Sequence, residues 1–219
     1  MNPYTRYPEL QPEEPFRFTC KRCGNCCRNV KNGIMVESLD LFLIAKYLQL
    51  DMAEAAEKYT EAVSLAWGAP VLMMKTKSVR NACVFLENGS CGIQPVKPRA
   101  CKLYPLSIGP EDHDFTKFLI FNVVNDPGCL AGREYRASEW VDANFDPESR
   151  AYITMEYRAI RECGKIMSRI PRDRENEVLF LMLRERYFLF DTDKDFMRQF
   201  SRNMAQLKTE LLSLTDKKG

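Results

Sequence analysis

The pattern of hydrophobic and polar positions changes near residue 137. Beyond that point apolar residues recur at helical spacing and predict amphipathic helices. Their two apolar stripes consist of Ile153, Tyr157, Ile160, Cys163, Met167 and Ile170, and of Phe196, Phe200, Leu207, Leu211 and Leu214. Pro171 separates the first stripe from a broadly apolar stretch, Val178 to Phe190, which we expect to be largely buried. The pattern predicts a helical extension over 137–219 packed on the preceding domain, with a separate helical bundle as the alternative.

Before residue 137 the predicted elements are shorter and of both kinds. They are an extended, proline-bearing arm over 1–15, a short strand over Phe16–Phe18, a helix capped by Ser38, a helix capped by Asp51 and running to about Trp67, strands over Val71–Lys77 and Phe118–Val124, and a hairpin in which Asn88-Gly89 turns between Cys83–Leu86 and Cys91–Ile93. Together they predict an α+β fold, mostly helical, with a small irregular sheet and hairpin arranged around a metal in a domain spanning 16–136.

Cysteines dominate the candidate chemistry of this domain. Eight of the nine lie in its half of the chain, at Cys20, Cys23, Cys26, Cys27, Cys83, Cys91, Cys101 and Cys129. Four thiols within eight residues are too dense for ordinary core positions, and thiolates are the ligands of zinc and of iron–sulfur clusters. We therefore predict a cysteine-ligated site for a soft metal, formed by these eight residues.

Charge and composition limit the partners and the cellular location that we expect for the protein. The formal net charge is only +2, so nucleic acid is not favoured as a partner, although a local basic patch is compatible with this value. The first residues lack the apolar segment of a signal peptide, and no stretch is long and apolar enough to span a membrane. We expect a cytoplasmic protein with no membrane partner, where cysteines bind metal more often than they form disulfides.

The spacing of the cysteines bears on which metal is bound. Cys20, Cys23 and Cys26 are separated by two residues each, as in bacterial [4Fe–4S] ferredoxins, whereas a second zinc knuckle is missing. This favours an iron–sulfur cluster whose primary ligands are these three, completed by one of the four later cysteines; zinc stays open. In extended backbone, neighbouring Cys26 and Cys27 would face opposite ways, so Cys27 would serve a second centre or pack inside. Lys21, Arg22, Arg28, Lys97, Arg99 and Lys102 lie beside the cysteines in sequence and could offset thiolate charge.

Four motifs resemble a known family. They are Cys20-Lys-Arg-Cys23-Gly-Asn-Cys26-Cys27, Ala82-Cys83-Val-Phe-Leu86, Gly89-Ser-Cys91-Gly-Ile93 and Lys97-Pro-Arg-Ala-Cys101-Lys-Leu-Tyr-Pro105. Their order is similar to that of the CxxCxxCC cysteine-cluster family, whose members are described as zinc- or iron-chelating and include flagellin lysine N-methylases, a branch associated with an iron–sulfur cluster. The resemblance implies metal binding. Cys129 resembles the late cysteine of the family, although its Asp-Pro-Gly-Cys context departs from the family's order.

The resemblance also implies a possible protein-lysine N-methylase that uses S-adenosylmethionine. No glycine-rich strand–helix loop supports this cofactor, and Val30 breaks the Cys-x3-Cys-x2-Cys pattern that starts at Cys23 and Cys27. Three functions therefore follow: an iron–sulfur protein for electron transfer or redox-supported protein modification, a zinc-stabilised binding or metal-storage module, and the methylase. Whether the protein is an enzyme stays open, and a protein substrate or redox partner is expected beside the metal.

Other residues have simpler interpretations. We expect Cys163 to be a small buried hydrophobic residue. His113 is expected in an exposed loop, with a mixed Cys/His site as the alternative. We expect Glu111, Asp112 and Asp114 to form a solvated acidic turn, with chelation of a hard cation as the alternative. Tyr104-Pro105 is expected to shield the metal centre from water.

Overall fold

The computed structural model describes residues 7–64, 69–111, 114–123 and 131–215. Its α-helices are α1 (Ser38–Leu48), α2 (Met52–Tyr59), α3 (Arg99–Leu103), α4 (Ala137–Asn144), α5 (Pro147–Met167), α6 (Glu175–Leu183) and α7 (Phe196–Thr215). Its strands are β1 (Glu9–Leu10), β2 (Pro15–Arg17), β3 (Met35–Val36), β4 (Thr60–Ser64), β5 (Pro70–Met74), β6 (Thr76–Lys77), β7 (Ala82–Cys83), β8 (Leu86–Glu87), β9 (Ser90–Cys91), β10 (Leu106–Pro110), β11 (Phe118–Asn122) and β12 (Glu134–Arg136). The predicted α+β class is confirmed.

The N-terminal arm adds a strand to a small antiparallel sheet. Its strand β1 pairs with β11, with Leu10 opposite Ile120, and β11 pairs along its length with β10. The next strand, β2, pairs with β12 and buries Phe16. The short strand predicted around Phe16 is confirmed, and so is most of the strand predicted from Phe118 onwards. Leu10 and Phe16 are buried and flanked by exposed residues, which explains why this polar segment lies on the domain.

A second antiparallel sheet has the order β3-β5-β4 and packs with α2, which in turn packs against α1. Helix α2 begins as predicted, because the Asp51 carboxylate accepts from the Glu54 N–H at 2.7 Å and Glu54 accepts from the Asp51 N–H at 3.1 Å. The predicted extent to Trp67 is wrong. The helix ends at Tyr59, since Thr60 has extended dihedrals and begins the ladder in which it lies opposite Met74.

The start of α1 differs from the prediction by one residue. Glu37, rather than Ser38, is the N-cap, and its N–H donates to the Asp40 carboxylate at 3.2 Å. Ser38 is fully buried, and its N–H donates to the Tyr152 hydroxyl at 3.1 Å. Glu37 is therefore the N-cap of α1, whereas the backbone N–H of Ser38 donates to Tyr152 on α5.

The C-terminal helices follow the predicted stripes in most positions. All five residues of the stripe on α7, from Phe196 to Leu214, are buried, and on α5 Ile153 and Cys163 are buried while the rest of that stripe is half-buried. The apolar stretch 178–190 is less buried than predicted, because Phe180 is 61% exposed and Leu189 45% exposed. This stretch forms α6 and a π-helical turn (Arg184–Phe188), and only one side of them meets the core.

Buried polar contacts join α5 and the π-helical turn to the cysteine-bearing half. Arg186 donates to the Pro70 carbonyl at 2.7 Å and to the Glu156 carboxylate at 2.6 Å. Glu156 also accepts from Tyr152, the residue that meets Ser38 on α1. One hydrophobic core runs from Leu10 to Leu214, and the division at residues 16, 136 and 137 stays a prediction. Among the described residues, no helix combines the length and the apolar character needed to cross a bilayer.

Candidate metal centre

The first four cysteines lie in a surface loop that tightens before α1. Cys20, Cys23 and Cys26 are exposed and Cys27 is half-buried. Residues Asn25–Cys27 form a 3-10 turn, entered through Gly24 at φ 70°. The sulfur atoms of Cys26 and Cys27 are therefore only 3.9 Å apart, instead of facing opposite ways as extended backbone predicts. Both thiols can approach the same centre.

The cysteine loop is attached to the segment that carries the next two cysteines. The Asn29 N–H donates to the Arg80 carbonyl at 2.8 Å, and the Val30 N–H donates to the Asn81 carbonyl at 3.1 Å. Gly24 lies against the β8–β9 hairpin, where a Cβ atom on it would stand 3.3 Å from the Gly89 carbonyl oxygen. These contacts hold the loop beside both β7 and the hairpin.

Two short antiparallel ladders position Cys83 and Cys91. Cys83 lies opposite Thr76 in the β6–β7 pair, and Cys91 lies opposite Leu86 in the β8–β9 pair. Asn88 and Gly89 turn this hairpin with φ values of 47° and 80°, as Asn-Gly turns do, so the predicted hairpin turn is confirmed. Cys83 is buried and Cys91 half-buried.

A buried network of charges attaches Cys101 to α1. Cys101 lies in α3, a helix of five residues that begins at Arg99. The Arg99 N–H donates to the Asp40 carboxylate at 2.9 Å, and the Arg99 guanidinium donates through Nε to the Glu37 carboxylate at 2.8 Å and through Nη2 to its other oxygen. Asp40 thus accepts from the first residue of α3 and from the N-cap of α1 together. This network fixes the start of α3 two residues before the thiol.

The charges of three other thiols act on Cys101, and two of these three also act on Cys83. Burial raises the pKa of Cys101 well above that of an ordinary thiol, and Cys83, Cys26 and Cys91 raise it further. The pKa of Cys83 is raised by burial and by the charges of Cys91 and Cys26. The pKa of Cys26 is raised by its hydrogen bond with Cys27 and by burial. Mutually unfavourable thiolates grouped in this way are relieved by a shared cation.

Two lysines partly oppose this crowding of negative charge. Lys77 donates to the Leu86 carbonyl at 2.7 Å, and its charge lowers the pKa of Cys83, against the larger effect of burial. Lys97 acts on Cys26 in the same direction. Lys97 is one of the cations that the sequence predicts near the cysteines, but Lys77 and the two acids Glu37 and Asp40 were not predicted. For Asp40 the sequence did contain a signal, because an acid between two apolar residues, Leu39 and Leu41, is expected to be buried and to need a partner.

The remaining predicted residues lie apart from this group or outside the described residues. Cys129, His113 and Asp112 fall outside them. Cys163 is fully buried on α5 as expected, and burial raises its pKa to about 11. Asp114 accepts from Thr116 in an exposed turn. As placed, no three His, Cys, Asp or Glu side chains within the described ranges are close enough to share one metal ion.

Aromatic residues cover the segment that follows Cys101. The Tyr104 ring packs edge-on against Phe18 at 5.9 Å between centroids, and Trp140 donates to the Leu103 carbonyl at 2.8 Å. The peptide bond between Tyr104 and Pro105 is cis. These contacts fix the end of α3, on the side opposite to its attachment at Arg99.

The thiols should differ in their reactivity in the metal-free protein. Iodoacetamide is expected to alkylate exposed Cys20 and Cys23 first and buried Cys163 last, since alkylation requires an accessible thiolate. Mass spectrometry of peptides at timed intervals measures this order. Early labelling of Cys163 would contradict its placement, and labelling in denaturant provides the reference in which all sites react.

Replacement of Gly24 by alanine is expected to displace the cysteine loop. A Cβ atom there would stand 2.8 Å from Arg28 Nη1 and 3.0 Å from Leu86 Cδ1, in backbone at φ 70°. Gly89→Ala is the matched control, because its φ is 80° and nothing lies within 4 Å of its Cβ position. Gly89→Ala should cost about 1 kcal/mol of unfolding free energy from the backbone alone. Gly24→Ala should cost more and also weaken metal binding; equal effects in urea denaturation and metal titration would contradict the packing described.

A comparison with known families identifies the cysteine-bearing region. Residues 19–124 match the family model CxxCxxCC, described as "Putative zinc- or iron-chelating domain". The four motifs that suggested this family lie within the matched range, so the resemblance is confirmed. No solved structure matches the chain.

Proposed function

We propose, from the match of residues 19–124 to the CxxCxxCC family model, that the protein holds a metal through Cys26, Cys83, Cys91 and Cys101, most favourably as an iron–sulfur cluster used in electron transfer or redox-supported protein modification. The observation that carries the proposal is the mutual electrostatic influence of these four thiols. They come from four separate places in the chain. The loop is attached beside β7 and the hairpin, α3 is attached to α1, and metal binding would draw the thiols into one centre.

This ligand set changes the grouping expected from spacing alone. Cys20 and Cys23 are exposed in the loop. Cys26 is the loop thiol whose charge acts on Cys83 and Cys101, so we group it with the later cysteines. Cys20, Cys23 and Cys27 then become ligands of a second centre or alternative ligands of the first.

The residues present suit a tetrathiolate group. Four thiolates around a [4Fe–4S]²⁺ centre or around Zn²⁺ leave a net charge of about −2. Lys77 and Lys97 lie close enough to influence the thiols and to offset this charge. A bound cluster would supply one-electron chemistry. The chain's own residues would hold it near the surface, because Cys26 is exposed and Cys91 half-buried, so a redox partner could approach closely.

A zinc-stabilised binding module is the second candidate, and one observation favours it. The strands that carry Cys83 and Cys91 belong to ladders of two residue pairs each. Isolated ladders of this length are not stable in water, and a metal that links them would contribute folding free energy. In this case the thiols would perform no redox chemistry. The protein-lysine methylase is supported by the family resemblance alone.

Anaerobic purification followed by metal analysis tests these alternatives. A broad absorption band near about 400 nm with roughly four iron and four sulfide per chain supports the cluster. A colourless protein with one or two zinc ions per chain supports the zinc module and contradicts the redox proposal. Cys163→Ser is the control that should keep the metal, since Cys163 is buried on α5. Failure of the cluster-loaded protein to bind S-adenosylmethionine would remove the methylase.

A further inference from the structure

Positive charge is concentrated in the two segments that carry the cysteines. Residues 19–36 and 75–105 contain ten Lys and Arg residues and a single acidic residue, Glu87. The whole chain has 32 basic and 30 acidic residues, so the rest of it carries 22 basic and 29 acidic ones. The small net charge of the chain therefore hides a strongly basic region inside an acidic remainder.

Six cations of the two segments flank the cysteines along the chain: Lys21, Arg22, Lys31, Lys77 and Arg80 are exposed, and Arg28 is half-buried. We call the surface that carries these six cations the basic face. Backbone hydrogen bonds from Asn29 and Val30 to Arg80 and Asn81 join the two segments. Arg28 donates to the Cys23 carbonyl at 2.8 Å, which places its charge on the cysteine loop. Among the described residues, none of these six cations forms an ion pair with an acidic side chain.

An exposed apolar residue stands within this face. Val79 is 74% exposed, the largest value among the large hydrophobic residues of the described chain, and it lies between Lys77 and Arg80. Arg80 and Asn81 hold left-handed backbone, with φ values of 55° and 43°. Such backbone costs free energy in residues other than glycine, so the turn that presents Val79 is maintained against a local penalty. Protein–protein interfaces commonly have an apolar centre that is surrounded by polar and charged residues.

We propose that the basic face docks an acidic surface of a partner protein and brings that partner to the metal centre. The inference rests on the proposed function, because a metal centre would give docking its purpose. The exposed thiols Cys23 and Cys26 lie beside these cations in sequence. Opposite charge on the partner would accelerate encounter and fix its orientation, and Val79 would enter an apolar site at the centre of the contact. The partner is then a redox protein or protein substrate with an acidic patch.

A protein partner fits this face better than nucleic acid. The acidic remainder of the chain would repel an extended polyanion that reaches beyond the basic face. Single-stranded nucleic acids also need exposed aromatic rings for stacking, and the large exposed hydrophobic residue in this face is Val79, an aliphatic one. A compact acidic patch requires only the area that the cations cover.

Binding of a labelled glutamate-rich peptide with a central leucine tests the proposal. Fluorescence anisotropy would follow its affinity for the full chain over a range of salt, beside a single-stranded DNA oligonucleotide of equal net charge. We expect the peptide to bind more tightly than the oligonucleotide, with affinity that falls as salt rises. The double variant Lys77→Glu/Arg80→Glu should weaken peptide binding by about tenfold or more, and Val79→Asp should weaken it too. The matched control is Arg158→Glu/Arg169→Glu, which reverses two exposed charges on or just after α5 and should change affinity by less than about twofold.

Three results would overturn the proposal: no peptide binding at low salt, equal binding by the Lys77→Glu/Arg80→Glu variant, or tighter binding of the oligonucleotide. The metal content of every sample, measured in parallel, separates this proposal from the previous one. If the wild-type protein holds metal but does not bind the peptide, only the docking proposal is contradicted. If it binds the peptide through these cations but holds no metal, only the proposed metal function is contradicted.

Discussion

Cys101→Ser is expected to lower the affinity for the bound metal by more than about a hundredfold, the largest loss at any single position. Cys101 is the thiol that is influenced by three of the other cysteines, and it is held on a helix that is attached at both ends. Serine oxygen is a poor ligand for a soft metal, and the fixed helix prevents another residue from replacing it. Metal content after anaerobic purification, followed by titration of zinc into the metal-free protein, measures the effect.

Two comparisons give the Cys101→Ser result its meaning. Cys163→Ser removes a thiol that is fully buried on α5, whereas Cys101 is half-buried, and it should leave metal content unchanged. Cys20→Ser removes an exposed loop thiol and should cost less affinity than Cys101→Ser. A larger loss in Cys20→Ser would show that the outer loop forms the primary centre, as the ferredoxin-like spacing alone suggests, and would replace the ligand set proposed above.

Arg99→Leu is expected to destabilise the protein by about 3–5 kcal/mol, because it leaves buried acids without their counterion. The side chains of Arg99 and Glu37 are only 7% and 8% exposed, and the backbone of Arg99 also serves Asp40. Burial and the Glu37 charge already raise the pKa of Asp40 to about 7. Removal of the guanidinium would favour protonation of Asp40, because the Arg99 charge lowers the pKa of this carboxyl group, and it would loosen α3 from α1. Urea denaturation monitored by circular dichroism gives the change in unfolding free energy.

The control for Arg99→Leu is the same substitution in an exposed pair. Arg17 contacts Glu134 at 3.2 Å, but the two side chains are 65% and 58% exposed. Arg17→Leu should therefore cost less than about 1 kcal/mol, as exposed ion pairs do. If both variants lose the same small amount, water reaches the Arg99 network and it does not fix α3. Metal affinity measured on the folded fraction of Arg99→Leu should also fall, since Cys101 is two residues away.

Local signals in the sequence predicted the parts of the fold that local contacts determine. The Asp51 and Glu54 pair defined the start of α2, and Asn88-Gly89 defined the hairpin, because in both cases the residues that determine the structure are close together in sequence. The end of α2 was not predictable in this way. Residues from Thr60 onwards leave the helix to pair with β5, and this pairing depends on a strand ten residues away.

The candidate site shows the same division between local and distant information. The eight cysteines were evident from the sequence as a group, but their spacing suggested that the three in the loop belong together. In the structure, hydrogen bonds attach the loop to Arg80 and Asn81, about fifty residues further along the chain, and the charge of Cys26 acts on Cys83 and Cys101. The residues that hold Cys101, Glu37 and Asp40, precede it by about sixty positions, and no spacing rule connects them.

The hydrogen bonds of Arg186 and Tyr152 have a consequence for how the metal and the C-terminal helices influence each other. Arg186 donates to the carbonyl of Pro70, the first residue of β5, and Tyr152 accepts from Ser38 on α1, the helix to which α3 and Cys101 are attached. The helices therefore supply partners for buried backbone groups of the region that carries the cysteines. By thermodynamic linkage, whatever loosens α5 or the π-helical turn should weaken retention of the metal, and metal binding should in turn slow hydrogen exchange in helices that contain none of its ligands.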